Sequence, residues 1–171
     1  MKIKFTYLVL LVIVSLSTIK SQTIGAGASA IYNFQSEGYG AGLRASIYPN
    51  NRFSFVPQFS YFFGFNKVSE YTIGLAVEGK IIKYKKLNMY GLLHGGYNSW
   101  LNYKASPMKD AKPNNWNFEG GLGISTNTCL RPFLEYRYNI KFRETHLDLG
   151  FLYIFGCKKG NYLKEVDCPT F

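Results

Sequence analysis

Two histidines and their neighbours are the residues of this sequence best suited to catalysis. His94 precedes Ser99 by five residues, and His146 precedes Asp148 by two. A histidine can act as a general base for hydrolysis or acyl transfer when it lies within hydrogen-bond reach of a nucleophile. In a strand, residues five apart point to opposite faces, and no serine lies near His146. We therefore predict no catalytic residues and expect that the protein is not an enzyme.

Three cysteines, Cys129, Cys157 and Cys168, could form a disulfide or bind a metal. Their spacing fits no zinc-binding pattern and the chain has only two histidines, so we predict no metal site and no cofactor. Cys157 and Cys168 bracket a short polar segment. If the protein is exported to an oxidising compartment, we expect these two to pair, which leaves Cys129 odd.

The amino terminus indicates export. Lys2 and Lys4 precede an apolar run from Phe5 to Val14, and small and polar residues continue to Ser21. This order is typical of a secretory signal peptide, and we predict that residues 1–21 are removed before Gln22. The apolar run is shorter than the about 20 residues that a membrane-spanning helix needs.

After residue 22, apolar residues alternate with polar or small ones, a period of two that predicts strands with two unlike faces. In the clearest run, seven alternate positions from Phe53 to Phe65 carry six aromatic rings. Eight runs of roughly ten residues can be distinguished. They cover 24–34, 39–47, 53–65, 71–81, 89–100, 117–125, 132–140 and 146–155.

The length of these runs favours a membrane β-barrel over a soluble β-sandwich. Tilted transmembrane strands need about 9–11 residues, whereas strands of soluble proteins average about five or six. The less apolar face carries mostly Gly, Ser and Asn, which suits the narrow lumen of an eight-stranded barrel. We predict an all-β fold, an eight-stranded antiparallel up-and-down transmembrane β-barrel, over residues 22–155.

A set of charged residues falls on the lumen-facing parity of these runs. In a narrow barrel such charges are expected to pair across the lumen, because an isolated charge is costly away from water. The main interpretation is a salt-bridge network that holds the barrel closed, and the alternative is a narrow ion path. The predicted network comprises Arg44, Glu78, Lys80, Glu119, Glu135, Arg137 and Asp148.

An even number of strands places both termini on one side, which we expect to be the periplasm. The periplasmic turns are then 49–52, 83–88 and 126–130, and the outer loops are 35–38, 66–70, 101–115 and 141–145. Most of the basic excess of this chain, whose formal net charge is +10, falls on the periplasmic side. It could attract anionic head groups or an acidic partner, or it could be ordinary solvated turn sequence. Export argues against nucleic-acid binding.

The last strand carries a family resemblance. Asp148, Gly150, Tyr153 and Phe155 resemble the β-signal of bacterial outer-membrane proteins, which the barrel-assembly machinery reads. With eight alternating runs and a signal peptide, residues 22–155 resemble the small eight-stranded barrels of Gram-negative bacteria, the OmpA-like barrel domains and OmpX-like proteins, and the composition resembles Bacteroidetes proteins. In many such barrels the closing strand ends the chain, whereas here residues 156–171 follow as an expected periplasmic tail.

The resemblance implies a bacterial outer-membrane protein in contact with lipid and with the barrel-assembly machinery. We expect a structural barrel with a filled polar lumen that acts through its surfaces. One alternative is an accessory subunit of a larger secretion or barrel-assembly complex. Others are a narrow ion pore and a lipid A-modifying enzyme, although the His-x-Ser pattern of the barrel deacylases is missing.

Overall fold

The computed structural model describes residues 23–49, 52–63, 69–101 and 113–157. These residues form eight strands, and within them no helix is long and apolar enough to cross a membrane. The predicted signal peptide and most of the tail lie outside the described residues. The strands are β1 (Thr23–Asn33), β2 (Gly38–Tyr48), β3 (Phe53–Phe62), β4 (Ser69–Tyr84), β5 (Leu87–Leu101), β6 (Asn114–Thr126), β7 (Leu130–Asn139) and β8 (Glu144–Ile154).

Each strand pairs antiparallel with its neighbours in the chain, and β8 closes the sheet against β1. The closing register runs from Gly25 opposite Ile154 to Asn33 opposite His146. Closure leaves no free sheet edge, so the backbone hydrogen bonds can be made without water, as a lipid-spanning structure requires. The prediction of an eight-stranded antiparallel transmembrane β-barrel is confirmed.

The two ends of the barrel differ in their connections. The terminal end holds the start of β1, the end of β8 and the connections from β2 to β3, β4 to β5 and β6 to β7. The loop end is the opposite one, and two of its connections include 64–68 and 102–112, which lie outside the described residues. The predicted turn 83–88 is shorter in the structure, because Tyr84 still pairs with Leu87 and only residues 85 and 86 form the turn.

Side chains alternate between lipid and lumen as the period of two requires. On β5, Leu93 is 72% exposed while the adjacent His94 is 3% exposed. The lumen is not polar throughout, however. At the terminal end Tyr48, Phe133, Leu152 and Ile154 form a buried apolar cluster, which the sequence analysis did not predict.

Candidate functional site: the charged lumen

The charged residues of the lumen come from strands that are distant in the sequence. Arg44 lies on β2, Glu135 and Arg137 on β7, and Asp148 on β8. Glu135 stands opposite Asp148 in the β7–β8 register. Arg44 reaches them across the lumen, 91 residues from Glu135 in the chain. We call these four residues the central ion-pair cluster.

Glu135 is the acceptor at the middle of the cluster. Arg44 donates to it from both terminal guanidinium nitrogens, from Nη1 to Oε1 at 2.6 Å and from Nη2 to Oε2 at 2.9 Å. Arg137 donates from Nε to the Glu135 Oε2 atom at 2.8 Å, and the Tyr90 hydroxyl donates to Oε1 at 2.7 Å. Asp148 Oδ2 lies 3.2 Å from Arg44 Nη2 and 3.3 Å from Arg137 Nη2. Two cations thus face two carboxylates, so the cluster has no formal net charge.

The remaining predicted lumen charges surround this cluster. Glu78 Oε1 lies 3.6 Å from Arg44 Nη1, and the Ser54 hydroxyl donates to Glu78 at 2.7 Å. Glu119 Oε2 lies 3.8 Å from Arg137 Nη1. The structure therefore joins six of the seven predicted residues in one ion-pair network. The seventh, Lys80, lines a cavity beside Arg44 and Glu78.

The two histidines belong to a second polar group at the loop end of the lumen. His94 Nδ1 lies 3.1 Å from Glu119 Oε2, and His146 Nδ1 lies 3.8 Å from Glu119 Oε1. Asn33 Nδ2 lies 3.1 Å from His146 Nε2. Glu144 also belongs to this group, since its Oε2 lies 3.6 Å from His146 Nε2.

Neither histidine meets the partner that its spacing in the sequence suggested. The Ser99 hydroxyl donates to Asn114 Oδ1 at 2.8 Å instead of to His94. Asp148 binds the two arginines of the central cluster rather than His146. Among the described residues no group of three or more His, Cys, Asp or Glu is arranged to hold a metal ion.

Glu70 is a lumen residue that the sequence analysis missed. Its Oε2 accepts a hydrogen bond from Trp100 Nε1 at 3.0 Å, and Asn98 Nδ2 also donates to its carboxylate. The signal was available, because Glu70 has the same parity as Thr72, Gly74 and Glu78 on β4. The predicted run began one residue later, at Tyr71.

Within the described residues, a small cavity lies on each side of the central ion-pair cluster. The larger, about 40 Å³, is lined by Arg44, Arg131 and Phe133 among others and lies towards the terminal end. The smaller, about 20 Å³, is lined by Arg137, His146 and Asp148 among others and lies towards the loop end. Each has room for only a few water molecules. The cluster therefore separates the two cavities.

The disulfide prediction is corrected by the structure. Cys157 pairs with Cys129, not with Cys168. Leu130 stands opposite Tyr153 in the β7–β8 register, and the Ile154 N–H donates to the Cys129 carbonyl at 2.9 Å. This pairing brings the β6–β7 turn to the chain that leaves β8, a proximity that spacing along the sequence does not reveal. Cys168 lies outside the described residues.

The four residues of the predicted assembly signal lie between the middle of β8 and the residue just after it, two facing the lumen and two facing outward. Asp148 and Gly150 point into the lumen, while Tyr153 and Phe155 are about half exposed on the outer wall with ring centroids 5.5 Å apart. Phe155 follows the last residue of β8, and its N–H still donates to the Ile24 carbonyl at 2.8 Å. The sheet therefore extends to the predicted boundary at residue 155.

Comparisons with known proteins identify the fold. No protein-family model matches the sequence, and no curated protein matches it. Among solved structures, the amino-terminal β-barrel domain of OprF from Pseudomonas aeruginosa is similar with a TM-score of 0.56 at 13% identity, over 78% of this chain and 97% of that one. Neisserial surface protein A is similar with a TM-score of 0.53 at 13% identity, over 77% of this chain and 92% of that one. A de novo designed transmembrane β-barrel gives a TM-score of 0.53 at 13% identity, covering 77% and 94%.

Proposed function

We propose that this protein is a structural β-barrel of the bacterial outer membrane that acts through its lipid-facing and end surfaces, without catalysis or conduction. The observation that carries the proposal is the central ion-pair cluster between the two small cavities. A lumen closed at its middle by hydrogen-bonded charges leaves the outer wall and the two ends as the surfaces available for function.

The packing of the cluster supports a closed lumen over an ion path. The side chains of the central ion-pair cluster are each 5% exposed or less, and its two positive charges face two negative ones. An ion passing the cluster would have to separate a buried, hydrogen-bonded pair, which leaves charges uncompensated away from water. A planar bilayer containing the purified protein is therefore expected to stay silent. Discrete current steps at moderate voltage would support the ion pore instead.

The outer wall supports a position in a membrane. Large apolar side chains face outward on all eight strands, including Leu43, Ile73, Leu93 and Phe118, each more than half exposed. A band of this kind is what transmembrane barrels present to lipid. We place the terminal end, and hence both termini, in the periplasm, and we propose an OmpA-like or OmpX-like barrel whose β8 is read by the barrel-assembly machinery. The Bacteroidetes resemblance stays a prediction.

The arrangement of the histidines argues against a lipid A-modifying enzyme. Both rings lie within the lumen and contact Glu119, whereas such an enzyme must present a base and a nucleophile to lipid. Mass spectrometry of lipid A from a deletion strain tests this directly. We expect an unchanged profile, and an added or missing acyl chain that is restored by the intact gene would establish enzymatic activity.

A second candidate function is that of an accessory subunit in a larger envelope complex. The Cys129–Cys157 disulfide favours it, because it attaches the start of the tail at a defined place on the terminal end. Co-purification from native membranes, with residues 158–171 deleted in parallel, tests this role. A partner that is lost with the deletion supports a subunit, whereas recovery of a free monomer from both strains argues against one.

A further inference from the structure

The hairpin between β4 and β5 extends beyond its neighbour at the terminal end. β3 pairs with β4 from Phe53 opposite Gly79, and a further bond joins Lys80 N to the Arg52 carbonyl. β4 nevertheless continues to Tyr84, paired with β5. In this stretch Ile81, Ile82 and Tyr84 are all more than half exposed. We call residues 81–87 the hairpin tip.

The tip also carries exposed positive charge. Lys83 is exposed near the end of β4, and Lys85 and Lys86 form the turn itself. Lys85 Nζ lies 5.4 Å from the centre of the Tyr84 ring, so one ammonium group sits beside an aromatic side chain. The hairpin tip thus combines apolar and cationic side chains within seven residues.

The exposed charges of the described residues differ between the two ends of the barrel. At the terminal end, Arg52 and the three lysines of the tip are exposed, and no exposed carboxylate accompanies them in the described ranges. At the loop end, the described turns carry exposed Lys141, Arg143 and Glu37, while Glu144, the first residue of β8, is partly buried beside His146. The described part of the terminal end therefore has four exposed cations and no exposed carboxylate, whereas the described part of the loop end has two exposed cations and one exposed carboxylate.

The length of β4 places the tip at the level of lipid head groups. Tyr71 and Tyr84 are 13 positions apart on β4, and a bulge at Ile81 removes about one residue of rise. The remaining separation is about 40 Å of strand, or about 30 Å along the axis of a barrel whose strands tilt by about 40°. The apolar band of such barrels is about 25 Å tall. When Tyr71 lies at one membrane interface, Tyr84 reaches the other, and Lys85 and Lys86 lie just outside it.

We propose that the hairpin tip binds the head groups of anionic phospholipids in the leaflet at the terminal end. Ile81, Ile82 and Tyr84 contact acyl chains and the interface, and Lys85 and Lys86 contact phosphate groups. The tip thereby enriches anionic lipid locally. The inference rests on the transmembrane fold and holds whether or not the barrel also serves as a complex subunit.

Local tryptophan fluorescence can measure this enrichment, because both native tryptophans, Trp100 and Trp116, lie at the loop end. A terminal-end reporter carries Tyr84→Trp with Trp100→Phe and Trp116→Phe. A loop-end reporter carries only Trp100→Phe and reads Trp116, which is 66% exposed. Both full-length proteins are reconstituted into phosphatidylcholine vesicles with a minor fraction of phosphatidylglycerol. Quenching by brominated phosphatidylglycerol is then compared with quenching by brominated phosphatidylcholine.

We expect the terminal-end reporter to show a few-fold enrichment of phosphatidylglycerol, bounded by roughly fivefold for each lysine. Lys85→Gln with Lys86→Gln should lower the ratio at least severalfold towards one, although Lys83 and Arg52 remain, and high salt should bring it close to one. The matched control, Lys141→Gln with Arg143→Gln, should leave the terminal-end ratio unchanged. The loop-end reporter should show a lower ratio than the terminal-end reporter, and Lys85→Gln with Lys86→Gln should not change it.

Two results would overturn the proposal. One is a ratio of one at position 84 in the protein with intact lysines, which would make an acidic protein the better candidate for this surface. The other is an enrichment of unchanged size after Lys85 and Lys86 are replaced. Heat-dependent mobility on gels verifies that each variant is folded before its quenching is interpreted.

Discussion

At the scale of single residues, Glu135 balances the positive charge of the lumen. It is fully buried and accepts hydrogen bonds from two arginines and a tyrosine. Asp148, the other carboxylate of the central cluster, also bonds to Arg44, at 3.2 Å. Because charges in the lumen are shielded from solvent, the loss of one partner leaves the other uncompensated.

We expect Glu135→Ala to destabilise the barrel by about 3–5 kcal/mol, since Arg44 and Arg137 would keep their charges without their main acceptor. Urea-induced unfolding in lipid vesicles, followed by tryptophan fluorescence, measures the change in the free energy of unfolding. Glu37→Gln, in an exposed turn, is the control and should have little effect. Equal stability of Glu135→Ala and the unmodified protein would show that the cluster contributes nothing to the fold.

Gly27 permits a close approach between β1 and β8. A methyl group there would overlap the Phe151 carbonyl oxygen and come within 2.9 Å of the Leu152 Cα atom, both of which are backbone. We expect Gly27→Ala to cost about 1–3 kcal/mol in the same unfolding assay, because backbone cannot move aside as a side chain can. Gly120→Ala is the matched control, since the nearest atom, Leu93 Cδ2, would be 3.8 Å away. If both variants unfold at the same urea concentration, steric crowding at Gly27 is refuted.

At the scale of elements, the period of two predicted most of the fold, because alternation shows directly which side chains face lipid. The same period located the ends of a strand less well where the strand continues past its apolar residues. β4 has 16 residues and β5 has 15, and their last pairs at the terminal end include lysine and asparagine, which read as turn sequence. The bulge at Ile81 also changes the parity of β4, so that Ile81 and Ile82 both face outward.

The contents of the lumen could be predicted only in part. Parity identified seven charged residues of the lumen, although the predicted run on β4 began too late to include Glu70. Which of these residues pair, such as Arg44 with Glu135, depends on which strands face each other across the barrel. The disulfide prediction was wrong for a related reason, because the β7–β8 register brings Cys129 next to Cys157. Phe133 shows a further limit. It shares the lumen parity of Glu135, and its ring lies 4.0 Å from the Arg44 guanidinium carbon, a contact that no sequence pattern indicates.

The Cys129–Cys157 disulfide is expected to anchor the end of the closing strand. Trypsin should place the three cysteines on separate peptides, so mass spectrometry of the non-reduced digest identifies the pairing. We expect Cys129 linked to Cys157. Replacing both by serine should lower the free energy of unfolding by at most about 3.6 kcal/mol, the value for a loop closed by cysteines 28 residues apart.

The same double variant should increase hydrogen exchange near Ile154, whose N–H bonds to the Cys129 carbonyl. Cys168→Ser serves as the control and should leave stability and exchange unchanged. A peptide that links Cys157 to Cys168 in the unmodified protein would contradict the structural pairing.

At the scale of the whole molecule, the barrel separates two environments that demand opposite side chains. Lipid on the outside accepts the aromatic and aliphatic residues, while the lumen holds charges that must neutralise one another. The central cluster satisfies this demand with two cations and two carboxylates. In the function proposed above, the same packing blocks the lumen, so charge balance and the expected lack of conduction have a common origin.

If the cluster both balances charge and blocks the lumen, removing one cation and one carboxylate together should open the lumen to ions. Arg44→Ala combined with Glu135→Ala deletes one cation and one anion, so the lumen keeps its net charge while the two small cavities become connected through the vacated space. We expect discrete current steps in planar bilayers from the double variant and none from the unmodified protein. Leu149→Ala, on the outer wall, should stay silent. A folded but silent double variant would instead assign the closure to residues such as Phe133, since the ion pairs would then stabilise the barrel without sealing it.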